Sequence, residues 1–474
     1  MRYEEFYQRS IEQPEAFWAE QAQRIHWHTP PERILDVSRP PFRRWFVGGT
    51  TNLCYNAVDR HLPARGGQLA LVAISSETGI TRELSYRDLY REVNTFAAVL
   101  TSLGVVSGDR VVIYLPNIAE AVFAMLACAR IGAIHSVVFG GFAAHNLALR
   151  IDDAEPALLI AADAGMRGGK VIPYKPLVDA ALEEAKRPPP RVLMIDRGLD
   201  PQMTRVAGRD LDYASLRASY EGAEVPVAWL ESNEPSYLLY TSGTTGKPKG
   251  IQRDVGGYAV AMAMSIETIF DIKPGQVMFS TSDVGWAVGH SYNVYAPLIG
   301  GATSLLYEGL PAHPDPGIWW RLCERYGVRS MFSSPTAIRT EKAGRQLAEK
   351  VRPVPAQMAV SRRRTARRTD RALGHRRTRR AGDRQLLADR NRLAGDHLDA
   401  RPRLETGEVR LAGIFESRLS HESDRRSHRR GASAEPERRA GVRAAVATGL
   451  PHHRMAQRRT LRGELFQPLQ GTAV

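Results

Sequence analysis

The residue types best suited to chemistry are concentrated in residues 241–250, which read TSGTTGKPKG. The hydroxyl, lysine and glycine residues of this stretch are Thr241, Ser242, Gly243, Thr244, Thr245, Gly246, Lys247, Lys249 and Gly250. Glycines let backbone N–H groups approach an anion closely, hydroxyls donate hydrogen bonds and lysines add positive charge. The stretch therefore predicts a loop that binds phosphate groups. A Walker A loop is a poor match, because Pro248 follows Lys247 where that motif requires Ser or Thr.

The flanking elements are the ones that must position this loop. Residues 236–240 form a short apolar run that predicts a buried strand. An Ala/Met/Ile pattern after Gly256 and Gly257 predicts a helix that continues to Phe270. A strand, a glycine-rich loop and a helix N-terminus together make a phosphate cradle. We prefer this interpretation to a flexible surface loop, because surface loops rarely combine two lysines with such a setting.

A second polar cluster follows the predicted strand at residues 157–162. Arg167 and Lys170 bracket Gly168 and Gly169, which fits contact with a phosphate-bearing ligand. A solvated turn explains the same residues equally well. The cluster alone does not decide between a binding loop and a turn.

A third candidate is the corner after the predicted strand that begins at Val277. Trp286, Val288 and Gly289 are suited to the wall of a small apolar pocket, and His290 is suited to orienting a polar group of the ligand. Lone tryptophans and histidines are also common core residues. Both interpretations stay open on the sequence.

Strands and helices alternate from residue 68 onwards. Residues 69–73, 110–115 and 133–139 predict strands, and helical patterns begin at Leu84 and Ile118, with Ser85 placed as a helix cap. Continuous apolar strands that alternate with helices indicate an α/β fold around mostly parallel sheets.

Length and composition agree with a globular enzyme of two or three domains. The 474 residues include 43% hydrophobic residues and only three cysteines, Cys54, Cys128 and Cys323. The cysteines are far apart and show no metal-site spacing, which favours a reducing compartment. The first residues resemble no signal peptide, and no apolar run is long enough to span a bilayer. We expect a cytoplasmic protein that does not bind membranes.

The net charge of +14 is unevenly distributed along the chain. Residues 351–474 contain 29 Arg, no Lys and 13 acidic residues, whereas residues 1–350 have a net charge of −2. Only two aromatic residues, Phe415 and Phe466, follow residue 350. Two compositions share one chain and require separate interpretations.

Residues 1–340 resemble the AMP-forming acyl-CoA ligases of the adenylate-forming superfamily. Residues 241–250 are similar to the signature of that family, and residues 252–260 and 285–292 resemble members that act on propionate more than those that act on acetate. Val288 supports the same preference, because members that act on acetate are expected to have Thr at this position. The resemblance implies the large N-terminal domain of these enzymes, with mostly parallel sheets flanked by helices.

The resemblance also implies a two-step reaction that uses ATP, Mg²⁺ and coenzyme A. A short carboxylate, propionate or acetate, attacks the α-phosphate of ATP, and the thiol of coenzyme A then displaces AMP. Residues 241–250 would hold the polyphosphate, with Lys249 and Thr244 as catalytic groups. Residues 167–170 would contact coenzyme A, and Trp286, Val288, Gly289 and His290 would belong to the acyl pocket. No protein ligand set for a metal is visible in the sequence.

Residues 345–474 lack the remaining motifs of this family. The family has a Gly-Glu-Pro turn, an aromatic Gln-Thr-Glu motif, an Asp for the ribose and a C-terminal lid with a catalytic lysine. One interpretation is an Arg-rich arm that binds nucleic acid. The other is a GC-rich gene translated in the wrong frame, because nucleic-acid arms usually contain Lys as well as Arg.

The codons that the residues permit can be used to test the second interpretation. Met358 is always ATG and Ala359 begins with G, so a shift of one base reads TGG, a tryptophan codon. Under the same shift, residues 357–360, 361–370, 384–394 and 461–473 can encode RWLF, LAGEPLDEPT, DNYWQTETGWP and FVENYFNRYKGQQ. The second and third runs contain the missing motifs in family order. We therefore favour a frameshift between residues 339 and 347 over a basic arm.

These patterns predict three segments. Residues 1–65 form an extension that packs on the main domain, residues 66–345 form a partial adenylate-forming domain, and residues 346–474 form a disordered, Arg-rich tail. We expect the lid domain to be absent and the 474-residue chain to have little or no ligase activity. Nucleic acid is not an expected partner despite the basic tail.

Overall fold

The computed structural model describes residues 2–241, 248–342 and 357–360. Two mixed sheets dominate these residues, with three two-stranded pairs beside them. The strands are β1 (Arg33–Arg39), β2 (Phe42–Val47), β3 (Thr50–Thr51), β4 (Leu69–Ser75), β5 (Thr81–Ser85), β6 (Arg110–Tyr114), β7 (Ile134–Val137), β8 (Leu158–Ala162), β9 (Ala164–Arg167), β10 (Lys170–Pro173), β11 (Val192–Ile195), β12 (Asp210–Asp212), β13 (Leu230–Glu231), β14 (Pro235–Thr241), β15 (Lys249–Asp254), β16 (Val277–Ser280), β17 (Thr303–Glu308), β18 (Val328–Ser333) and β19 (Gln357–Val360).

The helices cover the sheets and connect their strands. They are α1 (Tyr3–Glu12), α2 (Pro14–Ala22), α3 (Leu53–Ala57), α4 (Leu62–Arg65), α5 (Tyr86–Ser102), α6 (Ala119–Ile131), α7 (Ala144–Ala154), α8 (Lys175–Glu184), α9 (Tyr213–Ser219), α10 (Gly256–Thr268), α11 (Ala287–Gly289), α12 (Ala296–Ile299), α13 (Ile318–Tyr326) and α14 (Pro335–Lys342). A π-helical turn, His290–Tyr295, joins α11 to α12. Within the described ranges, no helix combines the length and apolar character needed to cross a membrane.

The predicted α/β class with mostly parallel sheets is confirmed. The seven-stranded sheet has the order β12-β11-β8-β6-β7-β14-β15, and only its last pair is antiparallel. The six-stranded sheet has the order β19-β18-β16-β17-β4-β5, and again only the last pair is antiparallel. Both parallel regions consist of short apolar strands that helices cover.

Two helices fill the space between the sheets. α5 packs on β4 and β5, α6 packs on β6 and β7, and the two helices pack along each other. The predicted cap of α5 is present, because the Ser85 side chain accepts from the Asp88 N–H and Asp88 in turn accepts from the Ser85 N–H. This capping box begins the helix at the residue where its apolar face reaches the core.

The N-terminal residues are tied to α6 by buried polar contacts. The side-chain amide of Asn52 donates to the carbonyls of Ala129 (2.7 Å) and Ala228 (2.8 Å). Asp59 pairs with the buried Arg130 at 2.8 Å. These contacts hold the segment before residue 65 against the main sheets.

Most of the predicted Arg-rich tail, residues 346–474, lies outside the described residues. The exception is β19, where residues 357–360 pair in parallel with β18 from Ser330 to Ser333. The prediction of a disordered tail is wrong for these four residues, which form a strand. The exposed edge of β18 accepts another strand because its backbone groups otherwise lack partners.

Candidate functional site

The base of the predicted phosphate loop is the open end of the β14–β15 hairpin. Tyr240 lies opposite Gly250 and Thr241 lies opposite Lys249, which is exposed. The other predicted loop residues, Ser242, Gly243, Thr244, Thr245, Gly246 and Lys247, lie outside the described residues. The two strands therefore fix both points from which the loop leaves the sheet.

The predicted order of strand, loop and helix is wrong, because a second strand separates the loop from the helix. β15 extends from Lys249 to Asp254, and α10 begins only at Gly256. Six strand residues of about 3.3 Å each place the helix N-terminus roughly 20 Å along the strand from the loop, beyond the reach of its dipole. The free edge of β14 favours strand pairing over an immediate helix. Positive charge at the loop must therefore come from side chains.

The second polar cluster forms the tight turn between β9 and β10. Gly168 and Gly169 have φ values of 61° and 78°, the left-handed geometry that glycine adopts most easily. Their N–H groups donate to the two carboxylate oxygens of Glu77, each at 2.7 Å. The Glu77 side chain is fully buried, and Nε2 of His313 lies 3.7 Å from its Oε2.

The contact with Glu77 changes how this cluster can bind an anion. The two glycine N–H groups form a nest that accepts a carboxylate of the chain itself. Arg167 and Lys170 are exposed on either side of the turn. Their side chains, and not the glycine backbone, are the groups left to contact a phosphate-bearing ligand. Sequence reasoning missed Glu77, which lies in the loop between β4 and β5 and carries no local motif.

The predicted apolar corner is the segment that follows β16, and it contains Trp286 and Val288. Trp286 is 38% exposed, and its ring centroid lies 5.8 Å from that of Phe139 and 6.1 Å from that of Phe142. Val288 is half-buried and packs against the core cluster around Phe270. Trp286 thus presents an aromatic face at the surface of the corner, whereas Val288 is turned towards the core cluster.

Gly289 is required by a close backbone approach. A Cβ atom at this position would lie 1.9 Å from the carbonyl oxygen of Asp283, a distance that real Cβ atoms do not show. Asp283 follows β16 at its carboxyl end, where open parallel sheets usually bind ligands. Its Oδ1 accepts the Gly285 N–H at 2.7 Å. Burial raises the pKa of Asp283 to about 6. Sequence reasoning missed this carboxylate.

The structure places His290 in the core, behind the corner. Its side chain is fully buried, and both ring nitrogens have protein partners. Nδ1 lies 2.9 Å from the Val284 carbonyl, and Nε2 lies 3.0 Å from Nε2 of His135. Of the two interpretations that the sequence left open, this geometry favours the core histidine.

The pair of histidines is neutral at physiological pH. Burial lowers the pKa of His290 to about 4, and burial together with the neighbouring His290 lowers the pKa of His135. With Nδ1–H of His290 donating to the Val284 carbonyl, its Nε2 accepts from Nε2–H of His135. His135 is on β7, so this bond ties the corner to the seven-stranded sheet. The only sequence signal for His135 was a polar residue inside an apolar strand.

No group of three or more His, Cys, Asp or Glu residues in the described part of the chain is arranged to hold a metal ion. The three cysteines are buried and form no disulfide with one another. Burial raises the pKa of Cys54 to about 12, with a further contribution from Asp59. Cys54 is therefore a packing residue and not a nucleophile.

Two sequence families match this chain. Residues 58–431 match the family described as AMP-binding enzyme, and residues 3–57 match the acetyl-coenzyme A synthetase N-terminus. The second match covers α1, α2 and the β1–β2 hairpin.

Curated relatives and a solved structure match the same part of the chain. A propionate–CoA ligase from Salmonella typhimurium is 63% identical over 342 residues, which are 72% of this chain and 54% of that protein. An acetyl-coenzyme A synthetase from Xanthobacter autotrophicus is 43% identical over 341 residues, 71% of this chain and 52% of that protein. An acetoacetyl-CoA synthetase from Streptomyces lividans has a TM-score of 0.67 at 30% identity and covers 74% of this chain and 54% of its own. The chain spans about half the length of the curated relatives it matches.

The contact between Glu77 and the glycine turn can be tested by Glu77→Gln. The substitution replaces one carboxylate oxygen with an NH₂ group that cannot accept the glycine N–H. We expect a loss of about 1–3 kcal/mol in the free energy of unfolding and faster hydrogen exchange at Gly168 and Gly169. Urea titration and exchange mass spectrometry measure the two effects. Glu183→Gln, at an exposed position, is the control, and unchanged exchange at the turn would contradict the assignment.

The neutral state of His290 predicts a pH dependence. Because its pKa falls from 6.5 to about 4 on folding, its stabilising contribution is complete above pH 6.5 and is lost as the pH falls towards 4. The stability difference between the unaltered chain and His290→Gln should therefore shrink by roughly 2–3 kcal/mol from about pH 7.5 to about pH 4.5. Urea titrations across this range measure it, with His28→Gln at an exposed position as control. A difference that is constant with pH refutes the neutral pair.

Proposed function

Because this chain belongs to the AMP-binding enzyme family, we propose that it carries part of an ATP-dependent ligase that joins a short carboxylate to coenzyme A. Propionate is the proposed carboxylate, and acetate is the alternative. The relative named propionate–CoA ligase is 63% identical to this chain over the aligned residues, whereas the relative named acetyl-coenzyme A synthetase is 43% identical.

One observation carries this proposal: a continuous series of side-chain contacts connects the apolar corner with the base of the phosphate loop. Trp286 packs on Phe142 at 6.1 Å, and Phe142 lies under the guanidinium of Arg150 at 4.6 Å. The same guanidinium lies 5.5 Å from the ring of Tyr240, where the loop begins. An acyl group at the corner and a polyphosphate at the loop would therefore be neighbours, as acyl-adenylate formation requires.

The proposed reaction has two steps. An oxygen of the carboxylate attacks the α-phosphorus of ATP, which forms an acyl-adenylate and releases pyrophosphate. The thiol sulfur of coenzyme A then attacks the acyl carbon, and AMP leaves with the electron pair of the broken C–O bond. Mg²⁺ accompanies ATP as part of the substrate and offsets charge on the phosphates.

The predicted site residues keep their roles as proposals. Lys249 at the start of β15, with Thr244 and the other residues of the 241–250 stretch, stabilises the charge of the polyphosphate. Arg167 and Lys170 bind coenzyme A through their side chains on the turn that Glu77 holds. Trp286, Val288 and Gly289 shape the acyl pocket, and His290 supports this wall from the core. We also propose a cytoplasmic location and no nucleic-acid partner.

We further propose that residues after about 345 are translated out of frame. The support is the Arg-rich, Lys-free composition and the recovery of two family motifs under a single one-base shift. The relative with 63% identity aligns over 342 residues, whereas the family match extends to residue 431. The reading frame of the gene therefore has to be determined directly.

A pair of proteins tests both proposals. The gene is sequenced across codons 335–360. The 474-residue chain is then compared with a protein expressed from a gene in which insertion or deletion of one base restores the reading frame of the family. We expect the restored protein to form AMP and acyl-CoA from ATP, coenzyme A and propionate, with a higher kcat/KM for propionate than for acetate. The 474-residue chain should form little or no AMP and acyl-CoA.

Three outcomes would contradict these proposals. Acyl-adenylate formation by the 474-residue chain itself would refute the frame proposal. A restored protein that folds but activates no carboxylate would refute the ligase proposal. If the gene has no inserted or deleted base in this region and the 474-residue chain binds nucleic acid tightly and in a salt-sensitive way, a basic binding arm would be favoured.

A further inference from the structure

Residues 357–360 cover the outer edge of β18 in the six-stranded sheet. On its inner side β18 pairs with β16, and on its outer side residues 330–333 pair with β19. Val328 and Arg329, the first two residues of β18, have no partner in β19. Without β19, the backbone N–H and C=O groups along the whole outer side of β18 would be open to another strand.

Both faces of β18 are already covered, so its edge is the part left for a new contact. Met331 belongs to the core cluster that contains Trp319, and Phe332, which points to the opposite face, belongs to the cluster that contains Phe270. Five of the six residues of β18 are buried, with Arg329 as the exception. A strand that is held on both faces and along one side presents a rigid, extended edge. Such an edge is a template for strand addition.

The other three edges of the two large sheets are protected in a way that β18 is not. Each of these edge strands carries charged residues, which oppose the addition of a further strand. They are Asp210 and Asp212 in β12, Lys249, Arg253 and Asp254 in β15, and Arg82 and Glu83 in β5. β18 contains no proline, and the charge of its Arg329 is offset by Asp271 at 2.5 Å. The protection of this edge therefore has to come from β19.

β19 has features that suit a strand at the end of a sheet. It is four residues long, and α14 precedes it in the chain, as the crossover of a parallel pair requires. Three arginines, Arg362, Arg363 and Arg364, follow it in the sequence after one serine. Charges that flank an uncharged strand oppose the addition of further copies. The pairing itself uses backbone groups, so it does not depend on the side chains that the reading frame supplies.

We propose that residues 357–360 act as an intramolecular edge cap, and that the β18 edge they cover is a self-association surface. When the cap is released, β18 pairs with β18 of a second copy of this chain. Two identical edges are self-complementary across a two-fold axis, where they run antiparallel. The edge carries no uncompensated charge that would select another class of partner, so backbone pairing decides the occupant. The inference concerns the 474-residue chain itself and is independent of the ligase proposal.

Proline substitutions in β19 test this role in the full 474-residue chain. Successive residues of a strand point their N–H groups to opposite sides, so Met358→Pro combined with Ala359→Pro removes the donor that faces β18. We expect this double variant to self-associate at concentrations at which the unaltered chain is monomeric, with a severalfold larger dimer fraction. Light scattering after size-exclusion chromatography measures the mass. Ala372→Pro combined with Leu373→Pro is the matched control outside β19 and should behave like the unaltered chain.

Hydrogen exchange locates the surface that associates. In the Met358→Pro/Ala359→Pro variant, the N–H groups of residues 330–333 that face β19 should exchange faster at low protein concentration. They should become protected again as the concentration rises. A peptide with the sequence of residues 355–361 should compete for the same edge and reduce the dimer fraction. The same peptide with both proline substitutions should not.

Several results would overturn the proposal. One is a Met358→Pro/Ala359→Pro variant that stays monomeric with a folded core, and another is equal association of the unaltered chain or of the control. Association without concentration-dependent protection at residues 330–333 would place the contact elsewhere and would also overturn it. Urea titration establishes that each variant is folded. If the proline pair prevents folding, Met358→Gly combined with Ala359→Gly takes its place, because it weakens β19 while keeping both N–H groups, and it should associate to a smaller extent.

Discussion

Helix α6 is buried on almost every side, and this burial determines how the other layers are arranged. Twelve of its thirteen residues are buried, with Glu120 as the exception. A helix that is apolar all round needs cover on all faces, so the seven-stranded sheet, α5 and α3 all pack on it. Even Arg130 is buried, and its pairing with Asp59 is what ties the N-terminal segment to this helix. The sheets are therefore held by one shared core and not by a surface contact.

The shared core also sets the position of the candidate site. β7 and β14 are neighbours in the sheet next to α6, and His135 on β7 lies opposite Tyr237 on β14. His135 in turn holds His290 and thereby the corner with Trp286. The corner after β16 is thus attached to β7 through the two histidines, and the β14–β15 hairpin begins on the strand next to β7. Buried, neutral histidines make this connection, so it adds no charge of its own to the corner.

The sequence was a good guide wherever one segment was sufficient to determine the structure. Apolar runs located the strands of both sheets, Ser85 located a helix start, and residues 241–250 located the hairpin loop. It failed where partners come from distant segments. Nothing near Glu77 indicates that it binds the turn at Gly168, and nothing near His290 indicates His135 as its partner. The β15 strand was missed because its pairing depends on the free edge of β14, which no local pattern encodes.

Lysine labelling tests most directly whether the open end of the β14–β15 hairpin is a polyphosphate site. The exposed Lys249 is modified with an amine-reactive reagent in the 474-residue chain, with and without Mg²⁺ and tripolyphosphate, and its modification rate is read by mass spectrometry. The exposed Lys186, which follows α8, serves as an internal reference. We predict that tripolyphosphate slows modification of Lys249 severalfold and leaves Lys186 unchanged. Equal modification of Lys249 with and without the probe would contradict the assignment of this hairpin as the phosphate site.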